Sequence, residues 1–84
     1  MALKDWKKVH TKKSKYQDVI HYLNTNNQLL AIVYKSNEWR EDKVRFKSYN
    51  FAVVKNKYRH IFEREGFKTK SAALKFAKSY MRKH

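Results

Sequence analysis

Basic side chains occupy most of the places in this sequence where chemistry could be done. Lys7, Lys8, Lys12, Lys13 and Lys15 lie between Trp6 and Gln17 with no acid among them. A run of this kind neutralises phosphates, which makes its binding to polyanions salt-dependent. Arg40, Lys43, Arg45 and Lys47 form a second cluster beside Trp39. The planar fork of arginine matches phosphate oxygens and base edges. An indole beside it can stack on a base, a contact of about 1–3 kcal/mol in single-strand binders. The competing structural reading packs Trp39 at a core edge and pairs Arg40 with Glu38, Glu41 or Asp42. Lys55, Lys57 and Arg59 form a third group around a predicted hairpin. Lys68 and Lys70 flank the start of a predicted helix, where backbone N–H groups already favour anions.

Other chemistries find little support. His10, His21, His60 and His84 show no H-x-x-x-H spacing, and the chain has no cysteine. Neither a metal site nor a disulfide is expected, and no cofactor is implied. Tyr58, Arg59 and His60 offer an acid and a phosphate clamp of the kind a small ribonuclease uses. No paired base accompanies them, so the chain is read as non-enzymatic. No run approaches the roughly 18 apolar residues of a membrane span. The segment "MALKDWKKVHTKK" lacks the apolar stretch of a signal peptide. A cytoplasmic protein is expected, and the nucleoid would be a natural address within the cytoplasm.

Composition sets the frame for these groups. The 84 residues carry 21 Lys and Arg against 7 Asp and Glu, a formal net charge of +14. Hydrophobic residues make up 42% and aromatics 15%, too much apolar material for a disordered basic tail. A single small folded domain spanning 1–84 is expected. Its charge works against compaction, and a polyanionic partner relieves that repulsion. Nucleic acid is the first candidate partner and an anionic membrane surface the second.

The elements that must hold these residues follow from spacing. Proline is absent and glycine occurs once, so turns fall to asparagine, which tolerates positive φ. "NTNN" at 24–27, Asn37, Asn50 and Asn56 are the expected breaks. "DWKKV" (5–9) suits a short edge strand anchored by Trp6, within a basic N-terminal segment 1–15, and "HTKKSK" (10–15) a basic loop. "YQDVIHYL" (16–23) is β-branched and aromatic, which favours a hairpin with the strand "QLLAIVYK" (28–35); a helix is the alternative. "SNEWREDK" (36–43) reads as a polar loop and "VRFKS" (44–48) as weak strand or loop. "YNFAVVK" and "YRHIFER" read as a hairpin turning at Asn56–Lys57. That register pairs Lys55 with Tyr58, Val53 with His60 and Phe51 with Phe62. It turns Arg59 away from the aromatic face. Thr69 is a good N-cap, and Ala73, Phe76, Ala77 and Tyr80 form one stripe with Lys75, Lys78 and Arg82 opposite. The fold class expected is α+β: an antiparallel sheet of three to five strands over 16–64, with a C-terminal helix (69–83) across one face.

"GFKTKSAALKFA" (66–77) and the hairpin before it resemble the arm-type, AP2-like DNA-binding domain of phage tyrosine integrases. Gly66, Phe67, Thr69, Lys70 and Ala73 carry the match. The resemblance implies that the sheet, not the helix, enters the major groove of DNA. The same helix entry is similar to that of double-stranded RNA-binding domains, through Thr69, Lys70 and Ala73. Strand order and charge alone resemble single-strand-binding coactivators of the PC4 type. Together these readings predict a nucleic-acid-binding protein, with DNA favoured and RNA the alternative, that holds phosphates from the exposed sheet face and basic loops. A protein-interaction module, such as a phage inhibitor of a host complex, is the reading from another class. A homodimer through an edge strand is left open.

Overall fold

The computed structural model describes residues 6–14, 17–56 and 59–83, the Trp39 side chain excepted. Lys15, Tyr16, Lys57, Tyr58 and His84 lie outside the described residues. Five strands precede one helix: β1 (Trp6–Lys13), β2 (Asp18–Asn24), β3 (Leu29–Arg40), β4 (Lys43–Lys55), β5 (Arg59–Phe67) and α1 (Lys70–Lys83). The strands pair in chain order, each antiparallel to the next. Adjacent strands joined by short turns build such a meander without crossovers.

Strand alternation decides which residues the helix covers. Ala31 pairs with Val53 and Val33 with Phe51, and all four are buried on the helix side. Against them α1 sets Ala73, Ala77 and Met81, each 1% exposed or less. The two alanines let the helix approach closely, and the Phe51 ring meets Phe76 at 5.6 Å and Tyr80 at 5.4 Å, both edge-on. Burying a side chain such as Phe51 stabilises by roughly 1.5–3 kcal/mol. Lys75, Lys78 and Arg82 face away from this core and are exposed.

One polar contact caps the helix and two fix it along the sheet. Thr69 caps it, its Oγ1 accepting from the Ala72 N–H at 3.1 Å. The Lys70 ammonium bonds Asp18 Oδ1 at 2.9 Å. At the other end the Trp6 indole N–H donates to the Met81 carbonyl at 3.0 Å. The helix therefore begins beside the Lys13 end of β1 and finishes beside Trp6.

The expected α+β layout is present, with five strands. The favoured hairpin over 16–35 forms from 18–24 and 29–34, so the helical alternative fails for 18–23. Other expectations need correction. The edge strand expected over 5–9 is present from Trp6 but runs on to Lys13, so 10–13 are not loop. Residues 36–40 and 43 are not loop either, because they belong to the distal halves of β3 and β4 with only Glu41–Asp42 as the turn, and 44–48 take the strand reading. Asn37 and Asn50 sit inside strands. The β4–β5 register also differs: Lys55 pairs with Arg59, Val53 with Phe62 and Phe51 with Arg64. A longer turn starting at Asn56 (φ 54°) shifts the tip. A bulge that leaves Ile61 unpaired then returns Phe62 to the core side, against Phe51 at 6.1 Å. Near the end of β5, Gly66 takes φ 89°, and its N–H reaches Asn50 Oδ1 at 3.4 Å. Glycine adopts that conformation without the penalty a Cβ brings.

Candidate nucleic-acid interface

β3 and β4 outrun their neighbours. β2 pairs with β3 only as far as Tyr34, and β5 pairs with β4 only as far as Tyr49. Beyond those points, among the described residues, β3 and β4 pair only with each other, through Ser36↔Ser48, Glu38↔Arg45 and Arg40↔Lys43. At about 3.4 Å per residue this two-stranded arm projects on the order of 15–20 Å from the sheet. It contributes to the 44 Å long axis of a molecule only 24 × 21 Å across. Its turn is Glu41–Asp42, with φ of 44° and 65°. Two positive φ values in a two-residue hairpin turn match the right-handed twist of the strands that flank it.

The arm has two unlike faces. Glu38, Arg40, Lys43 and Arg45 share one, and Arg40, Lys43 and Arg45 line a shallow depression near the tip together with Glu41 of the turn. Arg40 Nε donates to Glu38 Oε1 at 3.0 Å, an exposed pair of little energetic weight. Asn37, Val44 and Phe46 share the other. Phe46 is 46% exposed, its ring 5.2 Å from Tyr49, with the Lys35 ammonium 5.7 Å above it. This exposed aromatic escaped sequence reasoning. Its only signal is an isolated apolar residue in "VRFKS", between Arg45 and Lys47.

More cations gather where the arm leaves the sheet. Lys13 ends β1 across from Asp18, with Lys12 beside it. Asp18 is buried, holds Lys70 and accepts from the Tyr49 hydroxyl at 3.4 Å. Burial, then the Asp18 charge, raises the Tyr49 pKa and keeps the phenol a neutral donor. The structure thus engages Lys70 in holding the helix, while Lys68 just before it is exposed. Lys12, Lys13, Arg40, Lys43, Arg45, Lys68 and Lys70 all belong to this end. Trp39 pairs with Val44 within the arm.

Lys55 and Arg59 belong to the opposite end, on the order of 30 Å away along β4. Arg59 also lies on the other side from that expected. It pairs with Lys55, which pairs with the core residue Leu29, so alternation puts Arg59 on the helix side.

The sheet face away from the helix is not basic at its centre. Leu23, Leu30 and Val54 form one row across it, and His21, Ile32 and Ala52 the next. Lys7 and Lys12 stand on its β1 side. Glu63 stands on its β5 side and accepts from the Tyr34 hydroxyl at 3.2 Å. Glu65 acts on the same Tyr34: burial first, then contacts including both carboxylates, raise the phenol's pKa. His21 packs on His10 at 5.1 Å. Its pKa is lowered by burial first and by His10 second. The Phe51–Phe62 pair lies on the other face, under the helix, where no base could stack on it.

Among the described residues no group of His, Asp and Glu is arranged to hold a metal ion. No described helix is long and apolar enough to cross a membrane. Comparison with known proteins finds no matching family model, no matching curated protein and no matching solved structure.

Proposed function

We propose that this chain is a small, basic, non-enzymatic nucleic-acid-binding protein that uses its β-arm and the cations at the arm's base to hold duplex DNA. One observation carries the reading: a two-stranded ribbon with Arg40, Lys43 and Arg45 on one face leaves the sheet at the end where Lys12, Lys13 and Lys68 gather. The major groove of B-DNA admits a two-stranded β-ribbon, whereas the deep, narrow major groove of A-form RNA does not. DNA is therefore preferred over duplex RNA. The resemblance of 49–77 to arm-type integrase domains points the same way, as does the net charge of +14. Most of the affinity comes from phosphate contacts, so base preference is limited. Phe46 and Trp39 add stacking where strands open. The apolar centre of the open sheet face and the carboxylates at its rim move the phosphate contacts off that face and onto the arm.

The test is anisotropy of a labelled duplex titrated with protein at several salt concentrations. Affinity should fall steeply with salt, with a log–log slope of about −0.9 per phosphate neutralised. The double variant Lys43→Glu, Arg45→Glu should lose roughly tenfold or more at low salt and flatten that slope. Lys78→Glu, on the solvent side of α1, should change affinity far less. Salt-independent binding, or an equal loss from Lys78→Glu, would defeat the proposal.

A further inference from the structure

The open sheet face has a polarity that charge content alone does not require. Its centre is apolar: Leu23, Leu30 and Ile32 are half-buried beside Ala52 and Val54. One lateral rim, on β1, carries Lys7 and Lys12. The opposite rim, on β5, carries Glu63 and Glu65, two of only 7 acids in the chain. In a protein of net charge +14, two carboxylates on one rim of an apolar face mark that rim as the place for a cation.

We infer that the occupant of this face is a second copy of this chain, packed face to face about a two-fold axis that runs along β3. β3 is the middle strand of the sheet. Rotation about an axis parallel to it lays the β1 rim of one copy over the β5 rim of the other. Each residue keeps its level along the strands, so Lys12, level with Tyr34 and Asn50, meets the Glu65 stretch of the partner copy, and Lys7, level with Val54 and His60, lies one residue pair along from the Glu63 of the partner copy; both contacts occur twice, and the rows through Leu30 and Ile32 meet at the axis. This is the self-complementary arrangement a two-fold interface requires. An axis across the strands would instead set Lys7 and Lys12 of the two copies against each other.

Edge pairing is the less favourable alternative. β1 is exposed along its length after Trp6 and bears Lys7, Lys8, Lys12 and Lys13. β5 bears Arg59, Glu63, Arg64 and Glu65. Charged edge strands resist addition of a further strand. The face, by contrast, spans five strands at about 4.8 Å and about six residues at 3.4 Å, roughly 24 × 20 Å. That footprint, roughly 480 Å² per partner, falls below the roughly 600–1,000 Å² per partner of stable specific interfaces and fits a weak, transient one. The dimer should accordingly dissociate on dilution.

The chosen axis has a consequence for the proposed function, on which this last step alone rests. Rotation about the strand direction keeps that direction, so both arms project from the same end of the dimer. Two basic ribbons then face one duplex side by side, and the second contact becomes intramolecular.

The experiment is native mass spectrometry with a light-scattering dilution series, in moderate salt and without nucleic acid. The chain should pass from 10.3 kDa towards twice that mass as concentration rises. Lys7→Glu, Lys12→Glu should be monomeric, as should Glu63→Lys, Glu65→Lys. Mixed in equal amounts, these two variants should form a heterodimer, which also shows that each one folds. A monomer at every concentration overturns the inference. So does a dimer whose mass is unchanged in both variants and whose mixture shows no preference for the mixed pair. A monomer that still binds duplex through its arm would overturn the dimer alone; a dimer that binds none would overturn the nucleic-acid reading alone.

Discussion

His21 shows how one side chain can make the stability of this fold depend on pH. Its ring is partly withdrawn from water between β1 and β3, and His10 packs against it. Burial and then the neighbouring imidazole both disfavour the charged form, so its pKa in the folded chain lies below the ordinary 6.5. A depressed histidine leaves the unfolded chain holding more protons between the two pKa values. Its contribution is therefore complete above the unfolded value and is lost as pH falls through 6.5 towards the folded one. Thermal melts should show Tm falling between neutral pH and about pH 5.5, above the range where most carboxylates titrate. His21→Gln should flatten that slope, and an unchanged slope would assign the effect to other groups. The buried Asp18 carboxylate is answered by Lys70 and by the Tyr49 hydroxyl, and its pairing with Lys70 holds α1 to the sheet.

The arm can be tested as an element because the ladders to β2 and β5 stop before it. The strand part of the core lies at Leu29, Ala31, Val33, Phe51 and Val53, and Phe46 reaches back only to Tyr49 and Lys35 at the arm's base. Replacing 37–46 by a two-residue Asn-Gly turn, which favours this hairpin geometry, should leave a folded domain by circular dichroism. It should remove most of the affinity for duplex DNA. Retained binding would move the interface to the lysines at the arm's base. The arm is also the element least legible in the sequence, for a physical reason. Neither of its faces is buried, so no period-two alternation of apolar residues marks it, and Glu41–Asp42 is an unusual pair for a turn with two positive φ values. α1 was legible because Ala73, Phe76, Ala77 and Tyr80 repeat with the helical period against a core. The 18–24 strand was legible from its β-branched and aromatic content. The β4–β5 register was not, because the bulge at Ile61 and the longer turn leave no mark in the pattern. The site follows the same division. The cations of the arm could be named from residue type, but their grouping at one end depends on strand lengths. The placing of Arg59 depended on the register and failed with it.

For the whole molecule the decisive quantity is self-repulsion. Twenty-one cations and 7 acids share a body 24 × 21 Å across its short axes, so most like charges lie within one or two Debye lengths of each other at low salt. The pairs Lys70–Asp18 and the exposed Arg40–Glu38 do little against this. The core is small, and stability is the narrow margin left after conformational entropy. Added salt screens the repulsion, from a Debye length of about 10 Å at 0.1 M to about 3 Å at 1 M. Tm should therefore rise with sodium chloride, by about 4–8 °C for each kcal/mol of repulsion removed in a domain of this size. A duplex oligonucleotide should raise Tm at low salt through binding to the folded state. That increment should shrink as salt is added, because salt weakens the phosphate contacts while doing the screening itself. A free Tm that rises with salt while the DNA-induced increment falls distinguishes a polyanion-binding domain from one that merely tolerates its charge. A Tm that fell with salt in the absence of DNA would mean that attractive pairs, not repulsion, govern this fold.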